Sequence, residues 1–129
     1  MSDLVRVLVV DDDAMIQDCL KYAMDSYGFH VTTCSSTEAA CDHLEKDSYD
    51  YVITDYELPG KNGLELIRHV RQKGSDTVII GISGGDRGIE FLEAGANDFR
   101  QKPFIPYEIA MMIVGRDMDD PENEEGIYG

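Results

Sequence analysis

The chain has no tryptophan, only four prolines and three cysteines, and eleven lysines and arginines among its 129 residues. Each scarcity excludes something. Eleven bases against twenty-six acids leave a formal charge of −15, so the surface repels phosphate backbones and anionic membranes at long range. Nucleic acid and membrane are therefore not expected partners. Cys19, Cys34 and Cys41 are odd in number and lack C-x-x-C spacing, so they read as small core thiols of a reducing compartment rather than disulfides. The opening "MSDLVR" has neither the charged nor the apolar region of a secretory signal. No apolar run approaches the roughly 20 residues of a membrane span. A cytoplasmic protein is the expectation, and its length suits one ordinary domain.

What is present alternates. "LVRVLVV" (4–10) is β-branched and continuous, as a strand buried on both faces should be. "AMIQDCLKYAMDSYG" follows with Ile16, Leu20, Ala23 and Tyr27 at helical spacing, closed by Gly28. "FHVTTC" is a second strand, and "SSTEAACDHLEKD" opens with a capping-box pattern from Ser35 to Glu38. A third strand ends at Asp55, and Asn62 caps the helix "GLELIRHVRQKG". "TVIIGIS" is the fourth strand, followed by a short helix closing at Gly95. "NDFRQK" is the fifth, and Pro106 starts a last helix that stops at Gly115. Alternation of this kind predicts an α/β, doubly wound (βα)5 domain, flavodoxin-like, with a five-stranded parallel sheet covered on both sides.

In such sheets ligands bind beyond the carboxyl ends of the strands. Asp11 and Asp12 follow strand one, Asp55 closes strand three, Ser83 closes strand four and Lys102 closes strand five. The run Asp11–Asp13 needs an explanation, because two unit charges about 4 Å apart repel by about 4 kcal/mol at an effective dielectric near 20. A solvated loop or a helix cap would tolerate it, and Asp13 reads as such a cap. The other carboxylates, gathered at one edge with a hydroxyl and an ammonium, suit a hard divalent cation, Mg²⁺ or Mn²⁺, beside a phosphoryl group. His30, His43 and His69 share no spacing and read as ordinary strand or surface residues.

At these residues the chain resembles a response-regulator receiver domain of the CheY-like family, on "VLVVDDD", "VITDYELPGKNG", "VIIGISG" and "GANDFRQKPF". The resemblance implies a phosphorelay protein that accepts a phosphoryl group on Asp55. By it, Asp12 is the direct Mg²⁺ ligand, Asp11 acts through a metal-bound water, and the backbone carbonyl of Glu57 completes the protein ligands with Asp55. Ser83 and Lys102 hold the phosphoryl group, and the Lys102–Pro103 bond is cis. The implied donor is a sensor histidine kinase or a histidine phosphotransfer protein. The output is a contact with another protein, with dimerisation on phosphorylation as one form of it. No turnover of an external substrate is expected.

Three features depart from the family pattern. The segment from Ser83 to Phe99 is short, so the fourth helix is expected to be stunted, and the fifth is expected to be short as well. Phe99 stands where the family often has a switching Tyr, and it lacks the hydroxyl. Glu57 adds a carboxylate beside an acidic site. The receiver is expected over 1–115 and an acidic, disordered tail over 116–129. Two alternatives stand beside this reading: the receiver portion of a larger regulator, and a haloacid-dehalogenase-like phosphatase, which also begins with a strand followed by D-x-D, here Asp11 to Asp13.

Overall fold

The computed structural model describes residues 4–118. Strands and helices alternate throughout: β1 (Arg6–Val10), α1 (Ala14–Asp25), β2 (His30–Cys34), α2 (Thr37–Lys46), β3 (Tyr51–Asp55), α3 (Gly63–Gln72), β4 (Val78–Ser83), α4 (Gly88–Ala94), β5 (Asp98–Gln101) and α5 (Pro106–Met118). All five strands are parallel, in the order β2-β1-β3-β4-β5. This is the expected doubly wound sheet, and its order reverses between β1 and β3.

Period-two alternation divides the core. Val7 and Val9 share one face with Ile53, Ile80 and Ile82, and bury against Leu20 and Met24 of α1 and Ile109 and Ile113 of α5. Leu8, Val10, Val52 and Ile79 point the other way, onto Leu66 and Ile67 of α3 and Phe91 of α4. Two covered faces are why the central strands read as unbroken apolar runs. Opposite the carboxyl edge, Arg71 holds the ends of α3, β4 and α4 together. Its guanidinium donates to the carbonyls of Gly95 (2.9 Å), Ser75 (2.9 Å) and Thr77 (2.8 Å) and to Asn97 Oδ1 (2.8 Å).

Several local expectations need correction. The fifth helix is not short: α5 spans 13 residues and runs through Gly115 to Met118. A glycine ends a helix only when it turns left-handed, and Gly115 is not among the glycines with positive φ. Residues 116–118 therefore belong to this helix, and the expected tail from 119 onward lies outside the described residues. The α2 cap is Ser36 rather than Ser35, accepting from Ala39 N at 3.1 Å. α1 ends at Asp25, so Tyr27 leaves the helical face and stacks on Phe29 instead. Cys34 is buried and Cys41 half-buried, but Cys19 is exposed and not a core thiol. The fourth helix is as short as expected, seven residues. No helix among the described residues is long and apolar enough to cross a membrane.

Candidate functional site

Strand register brings the polar strand ends to one level. Val10 pairs with Thr54, so the next residues, Asp11 and Asp55, lie side by side across the reversal of strand order. Asp55 pairs with Ile82 and Ser83 with Gln101, which sets Ser83 and Lys102 at the same edge. Asp11 is fully buried and Asp55 is 6% exposed, whereas Asp12 is exposed. Ligand oxygens of Asp11, Asp12 and Asp55 all lie within 4.8 Å of one another.

One cation answers the two buried carboxylates. Lys102 Nζ lies 3.1 Å from Asp11 Oδ2 and 3.4 Å from Asp55 Oδ1. Burial disfavours its charge, but the hydrogen bond to Asp11 and the charge of Asp55 outweigh that and hold its pKa above the ordinary lysine value. Asp55 is raised as well, but there burial wins over the neighbouring cation. Desolvation first and repulsion from Asp11 second push its carboxyl up from 3.8 to about 6, against the pull of Lys102. With carboxylates in excess of cations, this donor set fits a hard divalent ion better than it fits none.

The raised value has a consequence for stability. Asp55 keeps its proton longer in the folded chain than in the unfolded one, so ionising it costs stability. That cost is absent below about pH 3.8, grows as pH rises, and is complete above about pH 6. The melting-temperature gap between metal-free Asp55→Asn and wild type is therefore expected to widen from about pH 4 to about pH 6 and then level off. A gap constant across that window would mean that Asp55 ionises as an ordinary carboxyl.

Each remaining group has a definite setting. Asp13 Oδ1 accepts from Met15 N at 2.9 Å and caps α1, while Asp13 N donates to Asp11 Oδ1 at 2.9 Å. In a phosphatase D-x-D the second carboxylate must be free to move a proton, whereas Asp13 is engaged as the helix cap. Ser83 is buried, and its Oγ accepts from Gly85 N at 2.9 Å. Lys102 N donates to the Ser83 carbonyl at 2.7 Å, and the Lys102–Pro103 bond is cis. Glu57 is exposed on the β3–α3 loop, and its carboxylate is not in the three-carboxylate group. Phe99 is half-buried and presses on Gly88, where any Cβ would meet its ring.

Two contributors carry no signal in the linear sequence. Arg87 lies over the Tyr56 ring, 4.4 Å from its centroid, and pairs with Glu90 at 3.0 Å, linking the residue after Asp55 to α4. Gln17 of α1 reaches the ends of both β1 and β2. A polar residue on a helix flank looks solvated until its distant partners are known.

A family profile described as "Response regulator receiver domain" matches residues 7–114. The chain is 36% identical over 116 residues to the transcriptional regulatory protein FixJ of Bradyrhizobium diazoefficiens, covering 88% of this chain and 57% of that protein. It is 32% identical over 112 residues to the transcriptional regulatory protein QseB of Escherichia coli O157:H7, covering 84% and 51%. The chain thus spans about half the length of these relatives. A CheY-like receiver domain protein from Methanospirillum hungatei superposes with a TM-score of 0.83 at 25% identity, over 95% of this chain and 99% of that one. The Francisella response regulator 1452 receiver domain does so with a TM-score of 0.80 at 28% identity, over 84% and 93%. Motifs, sheet order and profile agree: the chain belongs to the response regulator receiver domain family.

Proposed function

We propose that this domain accepts a phosphoryl group on Asp55 from a histidine kinase or histidine phosphotransfer protein and passes the signal on by a changed protein contact. The observation that carries the reading is the shared ammonium: Asp55, nearly buried at the tip of β3, divides Lys102 with the fully buried Asp11. An Asp55 oxygen attacks phosphorus in line, the bond from phosphorus to the donor nitrogen breaks, and its electron pair leaves with the imidazole. A carboxyl pushed up to about 6 without metal is still ionised at neutral pH, the form that can act as nucleophile. Mg²⁺, held by Asp11, Asp12, Asp55 and the Glu57 carbonyl, would supply charge neutralisation for the transferring group. Lys102 keeps its proton and turns from Asp55 to the new phosphoryl oxygens.

A protein donor suits the surroundings. A groove of about 400 Å³ between α1 and the start of α5, lined by Met15, Ile16, Cys19, Leu20, Phe104 and Pro106, opens beside Lys102. The phosphoryl group carries close to two negative charges where the carboxylate carried one, and that charge calls on Ser83. Its oxygen already accepts from Gly85 N, leaving the hydroxyl proton to donate to the phosphoryl group and draw the Gly84–Gly85 loop inward. A hydroxyl bond to a charged partner is worth about 1.5–3 kcal/mol, a tenfold to hundredfold population shift. Phe99, seated against Gly88, transmits that movement to α4.

A second reading concerns output. FixJ and QseB are named transcriptional regulatory proteins, and this chain spans about half of each. The domain would then be the receiver portion of a larger regulator, and the length of the native gene product separates the two.

The main test is incubation with Mg²⁺ and a small phosphoramidate, followed by mass mapping. One phosphoryl group on Asp55 supports the reading, and modification elsewhere, or none, sinks it. Metal binding has its own measurement. Mg²⁺ at a hundredfold excess over its dissociation constant should stabilise the unmodified protein by about 2.7 kcal/mol. Asp12→Ala should be at least as stable as wild type without metal, because a repelling carboxylate is gone, yet gain little from Mg²⁺. Equal Mg²⁺ responses in the two proteins would remove Asp12 from the ligands.

A further inference from the structure

Asp11 and Asp12 are crowded against Asp55, and repulsion would spread their loop away unless something holds it. The loop Asp11–Asp13 is held at both ends by one residue. Gln17 Nε2 donates to the Asp11 carbonyl at 2.6 Å and also lies 3.1 Å from the Cys34 carbonyl and 3.2 Å from Ser35 Oγ. The backbone N–H of the same residue donates to the Asp13 carbonyl at 3.1 Å. Asp11 N donates to the Cys34 carbonyl at 3.1 Å, so the exits of β1 and β2 are stapled together with Gln17 as the outer clasp. Asp12 sits between the two gripped carbonyls.

We infer that Gln17 is a positioning residue for the divalent cation: its carboxamide fixes the Asp11–Asp12 backbone, so that the carboxylates stay close before the ion arrives. This rests on the metal site described above. The residue type matters. Carboxylates whose oxygens lie within 4.8 Å of one another repel, so the metal-free loop is under outward pressure. A neutral amide resists that pressure with hydrogen bonds to carbonyls. A lysine or arginine there would resist it too, but would add a positive charge competing with the ion. Preorganisation of this kind appears in the affinity for the ligand more than in the stability of the fold.

The test measures the dissociation constant of Mg²⁺ by competition with Mn²⁺, read from the free Mn²⁺ signal in electron paramagnetic resonance. Gln17→Met keeps length and volume but loses the donors. It should bind Mg²⁺ about tenfold or more weaker, the range usual for partners that orient a metal ligand. Gln17→Asn, one methylene short of the carbonyls, should weaken binding similarly and serves if the Met variant does not fold. Ser35→Ala removes only the longest contact and should stay within about twofold of wild type. Metal-free melting temperatures separate positioning from scaffolding: a purely structural role lowers them and leaves the dissociation constant of the folded protein unchanged. Mg²⁺ affinity unchanged in a folded Gln17→Met or Gln17→Asn protein overturns the inference alone. Absence of Mg²⁺ binding by wild type overturns the metal site and the inference together.

Discussion

Asp55→Asn is expected to carry no phosphoryl group after incubation with Mg²⁺ and either a phosphorylated histidine protein or a small phosphoramidate. An amide oxygen has no anionic pair to form the acyl phosphate, and no other carboxylate replaces it: Asp11 is fully buried under Lys102, and Asp13 is committed to its cap. The fold should survive and improve. Asp55 is desolvated and repelled by Asp11, so removing its charge relieves a cost, while the amide oxygen can still accept from Lys102. Metal-free Asp55→Asn should exceed wild type at neutral pH by on the order of 1 kcal/mol, after discounting the pKa shift for solvent screening. Intact-mass spectrometry reads the first outcome and thermal melting the second. Stoichiometric acyl phosphate on the variant would dismiss Asp55 as the acceptor.

The second large effect comes from a residue that carries no chemistry. A Cβ added at Gly63, the first residue of α3, would run into the carbonyl of Asp55 and approach Thr54 Oγ1 at 3.2 Å. Gly63 N also donates to the Tyr56 carbonyl at 2.8 Å, so the helix start is locked onto the peptide following the acceptor. Alanine normally stabilises a helix by up to about 1 kcal/mol over glycine. Here it must displace the backbone of a buried strand, and overpacking wins. We expect Gly63→Ala to lose about 3 kcal/mol or more, roughly 10 °C in melting temperature, and to phosphorylate slowly because Asp55 is pushed from its place. Gly115→Ala in α5 is the control, since its Cβ would meet nothing within 4 Å. It should gain about 0.5–1 kcal/mol. If both glycine variants melt above wild type, the close approach of α3 to Asp55 does not exist.

How much of this was readable beforehand depends on the range of the interaction. Strand tips were readable because β-branched runs and breakers are local, and parallel topology then carries Asp11, Asp55, Ser83 and Lys102 to one edge without further information. The cap at Asn62 was readable for the same reason, since its partner Glu65 N is three residues away. Gln17 was not, because its carbonyl partner on β2 is 17 residues distant and nothing near it announces the contact. Gly63 passed as an ordinary helix-start glycine, because its obstacle is a carbonyl eight residues upstream that comes close only when α3 packs. Gly115 misled in the opposite direction, since glycine looks like a stop and α5 has enough buried surface, through Ile109 and Ile113, to continue past it.

The Arg71 clasp makes the two ends of α4 unequal. At Gly95 the helix is fastened by a guanidinium that also grips Asn97 and the start of β4. At Arg87 it has no side-chain cap, and this end rests on the Tyr56 ring and the Phe99 edge, with a long 3.5 Å contact from the Tyr56 hydroxyl to Glu90. Seven residues at 1.5 Å each make an arm of about 10 Å. Such an arm has a pivot and a tip: the pivot is Gly95, and the tip stands beside Ser83. In the proposed switch, a small displacement at the strand end would therefore be delivered as a tilt. The exposed Ile89 and Leu92 would tilt with it, so the surface expected to change most lies near the tip rather than at the pivot.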